Sequence, residues 1–146
     1  MLETIILSPE NKPSSFEKSA IVDFLYDNLE QYGDSKKDIE KAIDYSLKNF
    51  KSFGGFVMIL KIDTIIKGIA VINQTGMGSY IPENILVYIA INKNFRGKGL
   101  GEKLMKEVIK HTKGDIALHV APENPAKYLY EKVGFATPYL EMRLKK

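Results

Sequence analysis

The chain has no cysteine. That one absence removes disulfides, thiolate-held metals and a cysteine nucleophile. Its two histidines, His111 and His119, are too few for a histidine-built metal site. No apolar run is long enough to span a bilayer. The first residues, Met1-Leu2-Glu3-Thr4, lack the basic and apolar regions of a secretory signal, so the cytoplasm is the expected location and a membrane is not an expected partner. Repeats, low-complexity segments and linkers are also missing. Charge is nearly balanced, with 21 Lys+Arg against 18 Asp+Glu and a net +3, which does not argue for nucleic acid. What remains is 146 residues, 45% hydrophobic and 27% charged. This suits a single domain with one core, spanning residues 1–146.

Hydrophobic periodicity lays out the elements. Leu2–Leu7 is a first strand, ended by Pro9 and Pro13. Ser14 or Ser15 caps a helix with Glu17 in its first turn, and Phe16, Ala20, Phe24, Leu25 and Leu29 fall near one face of it. Ile39, Ile43, Leu47 and Phe50 mark a second helix. Phe56–Ile62 and Ile65–Ile72 form a hairpin around Asp63-Thr64. The segment from Asn73 to Glu83 is a loop. Ile85–Ile91 is a near-continuous apolar strand, expected to be central. Leu104, Met105, Val108 and Ile109 stripe a helix that begins near Leu100. Ile116–Val120, a short helix over Pro125–Val133 closed by Gly134, and a last strand over Tyr139–Leu144 complete the chain. The expected fold is α/β: a mixed, mostly antiparallel sheet of six or seven strands with helices on both faces.

The most informative stretch is Arg96-Gly97-Lys98-Gly99-Leu100-Gly101. A strand runs into a glycine-rich turn, and the turn opens a helix. Unpaired backbone N–H groups and the positive end of a helix dipole then converge on one point. Arg96 and Lys98 add charge there. The physical reading is a diphosphate cradle. The dinucleotide pattern G-x-G-x-x-G does not fit, because the third glycine, Gly101, comes too early. The P-loop pattern does not fit either. The spacing that fits is R-x-x-G-x-G, on Arg96, Gly99 and Gly101. A second motif follows about thirty residues later: Ala126-Lys127-Tyr128-Leu129-Tyr130-Glu131-Lys132-Val133-Gly134-Phe135. Ala126, Leu129 and Val133 share a helix face, and Gly134 turns the chain into Phe135.

Together the two motifs resemble those of the GNAT acyltransferase superfamily, and the resemblance covers essentially the whole chain. It implies an acetyl-CoA-dependent N-acetyltransferase acting on a primary amine of a small molecule or peptide, by direct attack in a ternary complex. Acetyl-CoA would be the cosubstrate, with no metal. The resemblance assigns Ile89, Ala90 and Ile91 to backbone contacts with the pantetheine arm, and Arg96, Gly97, Lys98, Gly99, Leu100 and Gly101 to the pyrophosphate. A splay between Ile85–Ile91 and Ile116–Val120 would admit the arm. The family often has Asn three residues before the motif alanine; here Glu123 stands there and Asn124 follows. Asn124 is read as a pantetheine contact, as a cap with Pro125 in the first helical position, or as both.

Tyr130 matches the tyrosine of the family proposed to protonate the departing thiolate, and a phenol is protonated at neutral pH. The alternative is a tyrosine that packs beside the cofactor. Glu83 stands where several members place a glutamate acting as base through water; otherwise it is a loop carboxylate in solvent. His119, Tyr80 and Tyr139 are acceptor-side candidates or core and rim residues. The region before and around the Asn73–Glu83 loop supplies Phe24, Tyr26, Tyr32, Tyr45, Tyr80, Asp27, Glu30 and Asp44, a lining that suits a cationic amine. Homodimers are common in the family, though no feature here fixes that state. Two rivals stand beside the enzyme: a non-catalytic CoA-binding module, and a nucleic-acid or phosphate-binding domain using Lys93–Lys103. The lack of a broad basic surface and of stacking aromatics argues against the latter.

Overall fold

Alternation along the strands decides which helices cover which face of the sheet. In a computed structural model, residues Met1–Lys146 are all described. The order is β1 (Leu2–Leu7), α1 (Ser15–Leu29), a one-turn 3-10 helix (Glu30–Tyr32), α2 (Lys36–Ser46), β2 (Gly55–Ile62), β3 (Ile65–Gln74), β4 (Asn84–Ile91), a second 3-10 turn (Lys93–Phe95), α3 (Leu100–His111), β5 (Ile116–Leu118) and α4 (Ala126–Lys132). Val57, Ile59, Ile69 and Val71 pack with Ile21, Leu25, Ile39 and Ile43 of α1 and α2. Their neighbours Met58, Leu60, Ala70 and Ile72 point the other way, onto Leu104, Met105 and Val108 of α3. Each fully buried aliphatic side chain contributes about 1.5–3 kcal/mol. The sheet is thus sandwiched between two helix pairs.

Strand order follows the chain, β1-β2-β3-β4-β5. All pairs are antiparallel except β4–β5, which is parallel. Val71 faces Tyr88 while Ile72 faces Leu86, so Val87 is the extra residue of a β-bulge. The bulge reverses the alternation: Leu86 belongs to the α3/α4 core and Tyr88 to the α1/α2 core.

Local signals start the helices. The Ser14 hydroxyl accepts the Glu17 N–H at 3.1 Å and the Glu17 carboxylate accepts the Ser14 N–H at 2.9 Å, a complete capping box. Ser35 caps α2 by accepting the Asp38 N–H.

Four expectations need correction. The sheet has five strands, not six or seven. Tyr139–Leu144 forms no strand; β5 offers a three-residue edge, and Pro138 removes a donor just before the segment. Phe16 is exposed, because the buried face of α1 centres on Ile21, Val22 and Leu25, on the far side of a helix that turns ~100° per residue. Phe50 and Ile109 are also partly exposed: α2 ends at Ser46, before Phe50, and Ile109 lies at the edge of the buried arc of α3 marked by Leu104, Met105 and Val108. No helix is long and apolar enough to cross a membrane.

Candidate active site

Parallel β4 and β5 pair only over Asn84–Leu86 and Ile116–Leu118. The closed end is clamped by side chains. Asn84 is buried, and its Nδ2 donates to the carbonyls of Lys113 at 2.7 Å and Asp115 at 3.2 Å. Glu83 Oε1 accepts the Asp115 N–H at 2.8 Å. From Val87 to Ile91 no strand covers the outer edge of β4, and the gap opens into a cleft of about 640 Å³. One wall is the turn at Arg96–Gly101 with α4; the other is the end of α1 and the segment that leads into α2.

The turn is shaped for an anion. Gly97 has φ +77° and Gly99 φ +79°, conformations that a side chain disfavours. The N–H groups of Gly97, Lys98 and Gly99 find no acceptor in the protein, and the first helical bond runs from Lys103 to the Gly99 carbonyl. Leu100 and Gly101 begin α3, so their N–H groups have no partner within the helix. A Cβ on Gly101 would lie 3.1 Å from Leu129 Cδ2, so this glycine lets α3 and α4 approach closely.

Arg96 is differently employed from the sequence expectation. Nη1 donates to Glu30 Oε1 at 2.9 Å, Nη2 to the Asn28 carbonyl at 2.5 Å, and Nε to the Ile91 carbonyl at 3.3 Å. Arg96 lines the cleft, but its guanidinium fastens the cradle turn to the end of α1. Asn28 completes the joint: its Nδ2 donates to the Phe24 carbonyl and its Oδ1 accepts the Lys93 N–H. Lys98 is exposed and does not line the cleft.

Ile89, Ala90 and Ile91 border the cleft, with the Ile91 carbonyl already engaged by Arg96. Asn124 also lines it; its Oδ1 accepts the Ala126 N–H at 2.9 Å, with Pro125 in helical conformation between them. That is the capping arrangement, and it leaves the Asn124 amide donors free. Tyr130 is nine-tenths buried. Its hydroxyl makes no hydrogen bond within the protein and opens on the cleft. Phe135 packs edge-on against its ring. Burial pushes the phenol's pKa up.

Glu83 is separated from this group. It is not among the cleft residues, and the Asp115 N–H, aided by its own backbone and that of Ser79, holds its pKa below the usual glutamate value. His119 lies just past β5, exposed, at the cleft. Of the expected acceptor lining, only Tyr32 and Glu30 reach the cleft. Tyr45 donates to the Gln74 carbonyl, Asp44 pairs with Lys18, and Tyr80 and Tyr139 are exposed. Two residues that sequence reasoning missed complete this wall: the Tyr88 hydroxyl donates to Asp34 Oδ2 at 2.5 Å. Burial, then the Asp34 carboxylate, drive the Tyr88 pKa far up. A Gly-Asp-Ser break followed by a capped helix was the available signal for Asp34; for Tyr88 there was none.

A mixed sheet whose parallel strands part over a glycine turn at a helix N-terminus is the architecture of acyl-CoA-dependent transferases of the GNAT kind. Solved structures share it. A possible acetyltransferase from Clostridium difficile 630 matches with TM-score 0.71 at 16% identity, covering 100% of this chain and 97% of that one. A GNAT family acetyltransferase from Streptococcus pneumoniae TIGR4 matches with TM-score 0.68 at 14% identity, covering 100% and 98%. One from Elizabethkingia anophelis, with acetyl-CoA bound, matches with TM-score 0.64 at 19% identity, covering 92% and 76%. No curated protein matches at the sequence level. The family model for the acetyltransferase (GNAT) domain matches residues 53–137, more than half of the chain, and the protein belongs to the GNAT acetyltransferase family.

Proposed function

We propose that the protein is an N-acetyltransferase that moves an acetyl group from acetyl-CoA to a primary amine of a small molecule or peptide. The observation that carries this reading is the parting of β4 and β5 over the free N–H groups of Gly97–Gly99, with the unpartnered Tyr130 hydroxyl in the same cleft. The N–H groups at Gly97–Gly101 suit a pyrophosphate, and the uncovered edge at Ile89–Ile91 and the Asn124 amide suit the pantetheine amides. Acetyl-CoA, when bound, supplies the thioester whose carbonyl carbon a neutral amine attacks. Tyr130 carries its proton at neutral pH as any phenol does, and burial pushes its pKa further up. Its hydroxyl is the group that delivers a proton to the departing sulfur. Glu83 is not assigned as base, since its carboxylate is held at Asp115; the amine's proton leaves to water in the open cleft.

Calorimetric titration of acetyl-CoA tests the reading. Micromolar binding, weakened by Gly99→Ala, is expected, followed by thiol release with an amine panel. No binding would overturn it. Binding without thiol release for any amine would leave a CoA-binding module instead.

A further inference from the structure

The wall of the cleft opposite the cradle carries an unneutralised charge. Glu30 is matched by Arg96, and Arg143, the other arginine at the cleft, is matched by Glu141. Asp34, exposed at the rim, has no cationic partner: Oδ2 accepts a hydrogen bond from the Tyr88 hydroxyl at 2.5 Å and Oδ1 accepts none. Asp38, on the first turn of α2, adds a second negative charge near Tyr88, and Lys36 between them is turned to Asp23. Tyr32 and Tyr88 give this corner aromatic walls, and the bulge at Val87 turns Tyr88 toward it. Independently, Tyr130, nine-tenths buried as a residue, opens its hydroxyl on the same cleft without a partner in the protein.

A carboxylate is a poor holder for the reacting amine. It would stabilise the ammonium form, which has no lone pair. It is a good holder for a cation that does not react. Building on the acetyltransferase reading, we propose that Asp34 and Tyr88 bind a second ammonium, so that the acceptor is a small aliphatic diamine or polyamine. One nitrogen is acetylated beside Tyr130 while the other sits on Asp34.

The test compares 1,4-diaminobutane with butylamine as acceptors, in wild type and in Asp34→Asn, by thiol release at saturating acetyl-CoA. The expected result is a kcat/KM for the diamine at least about tenfold above that for butylamine, carried by KM, because a charge-assisted contact is lost in the monoamine. Asp34→Asn should bring the two acceptors level. Tyr88→Phe, which leaves Asp34 in place but unsteered, should reduce the preference without erasing it. Calorimetric titration of 1,4-diaminobutane in the presence of CoA should show heat in wild type that Asp34→Asn loses. Equal use of both amines by wild type, a preference that survives Asp34→Asn, or no acetylation of the diamine by protein that binds acetyl-CoA would each overturn the proposal and leave the acetyltransferase reading standing. Failure to bind acetyl-CoA would remove that reading, and this proposal with it.

Discussion

The two walls of the cleft are made of different material. The α3/α4 wall is mostly backbone: N–H groups freed by Gly97 and Gly99, a helix N-terminus, and one tyrosine carried by a motif helix. The α1/α2 wall is built mostly from side chains far apart in the chain, with Arg96 reaching Glu30 and the Asn28 carbonyl, and Tyr88 meeting Asp34. A site made of backbone needs glycines at set intervals, so it writes a pattern into one short stretch. A site made of side chains needs the fold to gather it, and can draw on any polar residue within reach.

The division predicts separable defects. The largest belongs to Tyr130. Tyr130→Phe should lower kcat by about 10²–10⁴-fold, the range for loss of a general acid, while changing acetyl-CoA affinity far less. Steady-state kinetics beside calorimetry reads both, and equal losses in the two would reduce Tyr130 to a packing residue. Next is the cradle. Gly99→Ala places a side chain at φ +79°, with no atom within 4 Å of its Cβ, so its cost is conformational, about 1–2 kcal/mol. If the turn shifts to relieve that strain, the acetyl-CoA dissociation constant rises about tenfold. A dissociation constant that stays put would break the assignment of the cradle to the backbone.

The joint between the walls comes third. Asn28→Ala leaves the Lys93 N–H without its acceptor, which costs about 1–3 kcal/mol, measurable by urea unfolding. The smallest effect concerns Glu83. Its pKa is lower in the folded protein than the ordinary 4.5, so its contribution to stability is present above that pH and is lost as pH falls through the folded value. Wild type should therefore melt slightly above Glu83→Gln at neutral pH and lose that margin on acidification below about 4.5. A large kcat loss in Glu83→Gln would return it to the chemistry.

Much of the frame was legible for the same reason as the cradle. β1 is an apolar, β-branched run, the β2–β3 hairpin turns at Asp63-Thr64, the capping box at Ser14 sits where S-x-x-E places it, and α3 opens at Leu100 as the turn requires. The sequence misleads where a neighbour decides. Phe16 belongs to a run of apolar residues that a helix can present two ways, and contact with the sheet selects the face of Leu25. The alternating tail at Tyr139–Leu144 has the pattern of a strand and no long edge to pair with. For Arg96 the motif gives the position, and only the fold shows its guanidinium bonded to Glu30 and the Asn28 carbonyl at the end of α1.

Tyr88 marks the boundary between the two kinds of information. Strict alternation puts it on the same face as Leu86, under α3 and α4. One extra residue at Val87, visible only when β3 pairs with β4, sends it to the opposite face and onto Asp34. Local rules of glycine conformation, capping and periodicity act within a few residues, so the chain alone specified the cradle, the helix carrying Tyr130 and the order of the elements. Strand register, the clamp at Glu83 and Asn84, and the wall facing the cradle rest on contacts between segments distant in the chain, and folding alone brought them together.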